Sequence, residues 1–202
     1  MKVIVVGTGT IGTAVGKMLK EYGHEIAFVG RNSGDHQADI SDMASLKKLF
    51  ANIGGFEAVA NAAGDVFPGP FEELTDEQWA KSIAGKGIGQ INLVCAALPN
   101  IADKKSFTLI SGVLTDQYVS TGTIGTTINH MVEGFVKAAA VELPRGLRIN
   151  CISPTVLAES VAYHAYFAGF PPVPVAEVAL AFLRAISNPI TGRVLKLHKT
   201  GN

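Results

Sequence analysis

The sequence lacks the features that mark nucleic-acid binders, metalloproteins and membrane proteins. Its 17 Lys and Arg residues balance 17 Asp and Glu residues, and without a basic block nucleic acid is not the expected partner. The two cysteines, Cys95 and Cys151, lie in apolar segments without metal-ligand spacing, so we expect buried free thiols, a reducing compartment and no metal site. The first apolar run ends after four residues at Gly7, too short for a signal peptide or a membrane helix. These absences favour a cytoplasmic protein.

The sequence does contain a regular alternation of strand and helix patterns. A length of 202 residues with 48% hydrophobic residues suits one domain with a two-faced core. Strands are predicted at 2–6, 25–29, 58–60, 106–110, 147–152 and 194–197. Helices are predicted after residue 12, at 42–50 with Ser41 as N-cap, from a Thr75 cap toward residue 98, at about 126–142 and at 176–186. This alternation predicts an α/β fold, a Rossmann-like, doubly wound parallel sheet in three layers.

A glycine-rich turn lies between the first predicted strand and the first predicted helix. Four β-branched residues, Val3 to Val6, predict a buried parallel strand. Gly7, Gly9 and Gly12 then form a G-x-G-x-x-G pattern, which suits a tight turn, the close approach of a pyrophosphate and close helix packing. The N-terminus of the following helix would face the phosphates. Strand, turn and helix together predict a dinucleotide-binding site.

In open parallel sheets, ligands bind beyond the carboxyl ends of the strands. The segments that follow the predicted strands are therefore candidate ligand contacts: 7–12, 31–33, 61–64, 111–112 and 154–155.

The segment after the second strand bears on the choice of cofactor. NAD enzymes place an acidic residue there to hold the ribose 2′-hydroxyl, whereas this chain has Gly30-Arg31-Asn32-Ser33. A guanidinium pairs with a 2′-phosphate in a bidentate way. The alternative is an exposed turn arginine. We expect NADP(H) in preference to NAD(H).

Several segments together resemble the short-chain dehydrogenase/reductase family. They are the glycine turn, Asp39-Ile40, Asn61-Ala62-Ala63-Gly64 and the runs 132–143, 146–154 and 191–195. These segments extend over almost the whole chain, and the Arg-Ile-Asn-x-Ile-Ser-Pro run at 148–154 is specific. The resemblance implies hydride transfer to or from a small carbonyl or alcohol substrate. It also implies a homodimer or homotetramer, for which Met131, Val132, Phe135 and Val136 offer apolar surface on the long helix.

The resemblance assigns cofactor contacts residue by residue. Asn61-Ala62-Ala63-Gly64 matches the family's turn beside the adenosine ribose, and Asp39 matches the contact to the adenine edge, with Ile40 nearby. Pro154 and Val156 fall where the family lines the nicotinamide. The predicted cofactor-binding residues are Gly7, Thr8, Gly9, Thr10, Ile11, Gly12, Arg31, Asn32, Ser33, Asp39, Ile40, Asn61, Ala62, Ala63, Gly64, Asn129, Pro154 and Val156.

The chain departs from the family at the catalytic positions. The family's Tyr-x-x-x-Lys pair falls on Gly125 and Asn129. The family's serine falls on Gly112, and the asparagine of the preceding helix falls on Lys86. The glycine turn is also one residue shorter than usual in the family. Holding a cofactor and using it are therefore separate predictions.

Other residues are candidates to replace the missing groups. A proton donor must stand within hydrogen-bond reach of the substrate oxygen during hydride transfer. Lys86, between Gly85 and Gly87, could stabilise charge or act as the acid; the alternative is a solvated helix lysine. Ser111 could donate to the substrate or merely cap the strand end. Tyr118 is the remaining catalytic candidate, with a surface loop position as its alternative.

The segment at about 155–175 is predicted to form a reduced substrate lid on the single domain 1–202. Its aromatic residues either line a small pocket or simply cover the sheet end; they are Tyr163, His164, Tyr166 and Phe167. Two functions remain open at this point. One is an NADP(H)-dependent oxidoreductase with an atypical active site. The other is a catalytically silent protein that binds a dinucleotide as a sensor or scaffold.

Overall fold

A computed structural model gives the structure of the chain and describes residues 1–198. The last four residues of the predicted domain lie outside the described part. The strands are β1 (Lys2–Val6), β2 (Glu25–Gly30), β3 (His36–Gln37), β4 (Phe56–Asn61), β5 (Ile101–Ile110), β6 (Arg148–Pro154) and β7 (Val194–Leu197). The helices are α1 (Thr10–Glu21), α2 (Met43–Ile53), α3 (Asp76–Ser82), α4 (Gly89–Ala97), α5 (Thr123–Glu142) and α6 (Val175–Ser187). Short 3₁₀ turns occur at Phe71–Glu73, Val113–Thr115 and Val161–Phe167.

All seven strands form one parallel sheet in the order β3-β2-β1-β4-β5-β6-β7. The chain first builds the sheet outward from β1 to β3 and then returns to place β4 on the other side of β1. Val6 is consequently paired with Val29 of β2 and with Asn61 of β4. This reversal creates the crevice in which doubly wound sheets bind ligands. The predicted single-domain, Rossmann-like α/β fold is confirmed.

The sheet is buried on both faces because its strands alternate apolar side chains between two cores. Val3 and Val5 of β1 pack toward α1 and α6, where Phe182 is fully buried. Ile4 and Val6 pack toward α2, α4 and α5. Val132 and Val136 of α5 are also fully buried in this second core, so they offer no surface to another subunit.

Some local predictions need correction. Asp42, not Ser41, caps α2, because its carboxylate accepts the amide of Ala44 at 2.9 Å. The two-residue strand β3 was missed, because its pairing with β2 is tertiary and leaves no periodic pattern. Cys95 is exposed, since it lies on the outer face of α4, whereas Cys151 is buried in β6.

The helix predicted from a Thr75 cap toward residue 98 is interrupted. Thr75 does form the capping box with Gln78. Between α3 and α4, however, Ile83–Ile88 winds as a π-helix. In this segment Gly87 packs so closely on Met131 that a Cβ would lie 2.6 Å from the sulfur. A π-helical turn re-aims the side chains around it and is frequent at functional sites. None of the helices within residues 1–198 combines the length and the hydropathy that a membrane span requires.

Candidate active site

A cavity of about 310 Å³ opens at the carboxyl ends of β4, β5 and β6. The predicted catalytic candidates Lys86 and Ser111 both line it, as do the predicted cofactor contacts Pro154 and Val156. Its remaining wall is largely apolar and includes Val66, Val113, Leu114, Leu157, Tyr163 and Phe167. The parallel sheet thus brings together residues that are far apart in the sequence.

The glycine turn at the start of the chain has the shape that a pyrophosphate requires. Gly7 has φ of 105° and donates its amide to Val29 at 2.7 Å. A Cβ on Gly12 would lie 1.9 Å from the Gly7 carbonyl oxygen, so only glycine allows α1 to begin here. Gly9 is the N-cap residue of α1 and faces open space. Because glycine has no side chain, no side-chain cap covers the first amides of the helix. Backbone amides and helix dipole can therefore meet phosphate directly.

The turn after β2 folds against this glycine turn. The hydroxyls of Thr8 and Ser33 lie 2.7 Å apart, and Arg31 lies 3.5 Å from Asp39 as an exposed ion pair. The Ser41 hydroxyl donates to Asp39 and, with the Arg31 charge, holds the pKa of Asp39 below its usual value against the effect of burial. The residues predicted to hold the adenosine end are thus held together at one edge of the sheet.

The turn after β4 carries Asn61 and Gly64. The fully buried Asn61 amide donates to the Ala63 carbonyl oxygen at 2.9 Å and fixes the turn. Gly64 has φ of 128°, and a Cβ there would meet the Lys86 side chain at 2.8 Å. The glycine therefore gives the Lys86 stem its path into the cavity.

Lys86 projects from the π-helical segment toward the end of β5. Its ammonium nitrogen donates to the Ser111 carbonyl oxygen at 3.4 Å. Part of the side chain remains accessible from the cavity, but desolvation of the amino group lowers its pKa to about 8, against weaker opposing effects of Cys151 and Asp65. Lys86 can therefore exchange a proton near neutral pH.

Two polar atoms at the cavity have no hydrogen-bond partner among the described residues. They are Oδ1 of Asn129 and Oγ1 of Thr155, both in residues that are more than nine-tenths buried. The Asn129 amide nitrogen donates to the Gly112 carbonyl oxygen at 3.4 Å. The amide oxygen of Asn129, Oδ1, therefore points away from Gly112. Unsatisfied buried polar atoms are costly. Their position beside Pro154 and Val156 fits the ribose hydroxyls and carboxamide of a nicotinamide nucleotide.

Sequence reasoning missed one buried polar group, Glu133 on α5. Its Oε1 accepts the hydroxyls of Ser111 at 2.8 Å and Thr115 at 3.0 Å. The available signal was a carboxylate beside Val132 and one helical turn from Val136, on the inward face of a helix. Such a charge is rare without partners.

The catalytic candidate Tyr118 lies outside the cavity, whereas two aromatic residues of the predicted lid line it. Tyr118 is 68% exposed and is not among the residues that line the cavity. A Cβ on Gly125, where the resemblance places the family's tyrosine, would lie 3.2 Å from a Leu114 methyl group and 3.6 Å from Val66. Apolar side chains thus border that position. In the lid, Tyr163 and Phe167 line the cavity, while His164 bonds the Leu157 carbonyl oxygen.

Fold and site together define a dinucleotide-binding protein of the Rossmann type. The chain matches the profile of the family described as Enoyl-(Acyl carrier protein) reductase over residues 6–171. Among solved structures, the protein lin1944 from Listeria innocua is 40% identical, with a TM-score of 0.95 over 98% of this chain and 100% of that chain. A small-chain dehydrogenase in complex with NADPH is 26% identical, with a TM-score of 0.88 over 98% of this chain and 96% of that chain.

A curated relative agrees with these matches. The chain is 29% identical over 151 residues to 2,5-dichloro-2,5-cyclohexadiene-1,4-diol dehydrogenase LinX of Sphingobium indicum. The match covers 71% of this chain but only 60% of that relative's length. The chain belongs to the short-chain dehydrogenase/reductase family, as its sequence predicted.

Proposed function

We propose that this protein is an NADP(H)-dependent oxidoreductase that interconverts a small carbonyl compound and its alcohol. The observation that carries the proposal is the desolvated Lys86 amino group, which lies at the cavity 3.4 Å from the Ser111 carbonyl oxygen. Its pKa of about 8 makes it a proton donor at neutral pH. A purely dinucleotide-holding protein has no need for such a group.

The residues present fit a nicotinamide dinucleotide. The Gly7–Gly12 turn and the start of α1 would hold the pyrophosphate, and Asn129 and Thr155 would accept and donate hydrogen bonds at the nicotinamide end. Bound there, the dinucleotide would supply or accept the hydride. The cavity's apolar wall would exclude water from the substrate carbon.

Lys86 would act on the substrate oxygen. When a carbonyl carbon receives a hydride, its oxygen gains negative charge and then a proton. The Lys86 ammonium would stabilise that charge and donate the proton, and the neutral amine would regain a proton from solvent. The resemblance gives this task to the family's tyrosine, whose position it places on Gly125.

Arg31 supports NADP(H) as the dinucleotide. Its guanidinium stands at the end of β2, where a 2′-phosphate would lie, and is 65% exposed at its side chain. The 2′-phosphate would compete with Asp39 for this guanidinium. The NADPH bound to the related small-chain dehydrogenase agrees with this preference.

The proposal is tested by binding and turnover on the same protein. NADPH and NADH are titrated by fluorescence, and oxidation of the bound reduced dinucleotide is followed with a panel of small carbonyl compounds. We expect tighter binding of NADPH and turnover with at least one carbonyl compound. If NADPH binds but no compound of the panel is turned over, the result contradicts the proposed oxidoreductase activity and favours the second function described below.

A matched pair of lysine variants locates the acid. Lys86→Met should lower kcat for reduction by about 100-fold. Lys81→Met alters an exposed lysine on the neighbouring helix that pairs with Glu77, and it should leave kcat unchanged. Equal kcat in both variants removes Lys86 from the mechanism.

A second function is favoured by one specific observation. The sequence resemblance places the family's serine, tyrosine and lysine on Gly112, Gly125 and Asn129, and Leu114 and Val66 border Gly125. A silent sensor or scaffold would keep the dinucleotide turn and dispense with those groups. It would bind NADPH with unchanged affinity in Lys86→Met and would give no turnover.

A further inference from the structure

Lys86 brings a primary amine to the candidate active-site cavity. Of the described residues that line this cavity, Lys86 is the only lysine, and no aspartate, glutamate, histidine, arginine or cysteine lines it beside Lys86. The recorded hydrogen bond of its nitrogen goes to the Ser111 carbonyl oxygen at the long distance of 3.4 Å. Since the amino group of a lysine can take part in three such contacts, the nitrogen keeps free positions for a molecule in the cavity.

The surroundings of the Lys86 nitrogen favour its neutral form. Burial lowers the pKa of the amine to about 8, and the opposing effects of Cys151 and Asp65 are weaker. Burial also raises the pKa of the Cys151 thiol to about 12, so this thiol carries no negative charge that would hold the ammonium. Asp65 is exposed, and solvent screens its charge. Part of Lys86 is therefore a free amine near neutral pH, and a desolvated lysine amine in an apolar pocket is a nucleophile toward carbonyl carbon.

We propose that Lys86 is a covalent binding site for small uncharged aldehydes, which it holds as an imine. The lone pair of Nζ attacks the carbonyl carbon, a C–N bond forms, and the carbonyl oxygen takes a proton. The C–O bond then breaks, and the oxygen leaves as water with the two hydrogens that the amine gives up. A C=N bond remains between Lys86 and the former carbonyl carbon. Nothing is oxidised or reduced in this step, so it needs neither a reductant nor a dinucleotide.

This covalent site goes beyond the proposed oxidoreductase and does not depend on it. Proton donation in carbonyl reduction uses the ammonium form of Lys86, whereas imine formation uses the neutral amine. Both forms are populated near pH 8, because the pKa of Lys86 is about 8. While an imine occupies the cavity, no second carbonyl compound can reach the amine.

The shape of the cavity limits the aldehyde that it accepts. Its volume of about 310 Å³ lies at the lower end of the range for ligand pockets. Gly112 and Gly125 line it without side chains and leave room beside Lys86, while Leu114 and Phe167 belong to its apolar wall. A charged substituent would lose its hydration against such a wall without gaining a new ion pair. The cavity therefore suits a short alkyl aldehyde.

The experiment traps the imine by reduction and locates it by mass. The purified chain, without added dinucleotide, is treated briefly with propanal and cyanoborohydride, which adds a hydride to the C=N carbon and leaves a stable propylamine. Peptide mass spectrometry then gives the labelling rate of each amine. Lys86 should be labelled at least about tenfold faster than Lys81, an exposed lysine that pairs with Glu77. Equal rates at the two lysines would overturn the proposal.

A larger aldehyde separates reaction in the cavity from reaction in open solvent. With 1-pyrenecarboxaldehyde, whose ring system is too wide for the cavity, the ratio of Lys86 labelling to Lys81 labelling should fall below one. The ratio removes the difference in reactivity between the two aldehydes, because both lysines meet the same reagent. The same ratio for both aldehydes would show that Lys86 reacts from solvent, and the cavity site would be wrong.

A matched pair of arginine variants checks the assignment. Lys86→Arg keeps the positive charge but has no primary amine, so its peptide should lose the fast propyl label, whereas Lys81→Arg should keep the label at Lys86. A fast label that persists in the same peptide of Lys86→Arg would assign it to another residue and overturn the proposal.

The outcome is separate from that of the turnover test. A chain that reduces carbonyl compounds but shows no preferential label at Lys86 overturns the covalent site and leaves the oxidoreductase intact. A chain that is labelled at Lys86 but turns over no carbonyl compound supports the covalent site and contradicts the oxidoreductase.

Discussion

Gly64 and Lys86 are in direct contact: a Cβ on Gly64 would lie 2.8 Å from Cγ of Lys86. The turn after β4 and the π-helical segment therefore pack directly against each other. Because Gly64 has no side chain, the Lys86 side chain can pass beside it and place its amine at the cavity. Lys86 reaches the Ser111 carbonyl oxygen along this path.

Gly64→Ala should weaken catalysis as well as the fold. An alanine at φ of 128° costs about 1–3 kcal/mol of stability, and its methyl group would also push the Lys86 stem aside. Thermal unfolding and kcat for reduction measure the two effects. Gly54→Ala is the control, because Gly54 also has positive φ, 74°, but has nothing within 4 Å of the place that an alanine methyl group would take. It should lose similar stability and keep kcat; loss of kcat in both would contradict the Gly64–Lys86 relationship.

The reduction rate should depend on the protonation of Lys86. Since burial lowers its pKa to about 8, kcat should fall as pH rises through that value, because the acid form is lost. The pH profile of Lys86→Arg should lack this fall, since guanidinium stays protonated. An unchanged descending limb in Lys86→Arg would assign the acid to another group.

Stability should change with pH in the direction set by the same lysine. The pKa of Lys86 is about 8 in the folded protein, whereas its ordinary value, which applies to the unfolded chain, is 10.5. Between these two pH values the unfolded chain therefore binds more protons than the folded protein. The free energy of unfolding contributed by Lys86 should therefore rise from pH 8 to 10.5. Denaturant unfolding of the wild type and Lys86→Met across this range measures the difference, which should shrink toward high pH. A difference independent of pH would show that the amine is not desolvated.

Asn129→Leu should affect stability and binding in opposite directions. It removes a buried amide oxygen without a recorded partner, so the free energy of unfolding should stay equal or rise by about 1 kcal/mol. Dinucleotide affinity should fall roughly tenfold, because the nucleotide loses a hydrogen-bond acceptor. Thr127→Val, an exposed change on the same helix, should leave affinity unchanged. Full NADPH affinity in Asn129→Leu would remove Asn129 from the cofactor site.

Arg31→Ala should discriminate between the two dinucleotides. The Kd for NADPH should rise about tenfold or more, since a charge-assisted contact to phosphate is lost. The Kd for NADH should change little, because the ion pair of Arg31 with Asp39 is exposed and contributes little to the fold. Arg184→Ala, an exposed arginine on α6, is the control. An equal loss for NADPH and NADH would contradict the assignment of the 2′-phosphate to Arg31.

The sequence by itself determined six of the seven strands in the described sheet and the glycine turn. The β-branched run before Gly7 and the spacing of Gly7, Gly9 and Gly12 are local signals, because strand burial and turn geometry depend on neighbouring residues. The same holds for Thr75, whose capping box with Gln78 is a four-residue pattern. The prediction of Ser41 as a cap is wrong, since two adjacent capping residues, Ser41 and Asp42, cannot be ranked by sequence alone.

Only the tertiary structure decided which side chains meet at the candidate active-site cavity. Lys86, Ser111 and Glu133 come from three separate elements, and no local pattern records that Ser111 donates to Glu133 or that Gly64 makes room for Lys86. Such relationships depend on sheet register and helix packing across dozens of residues. Local sequence therefore determines the glycine turn, whereas long-range packing sets the burial of Lys86, which lowers the pKa of its amine to about 8.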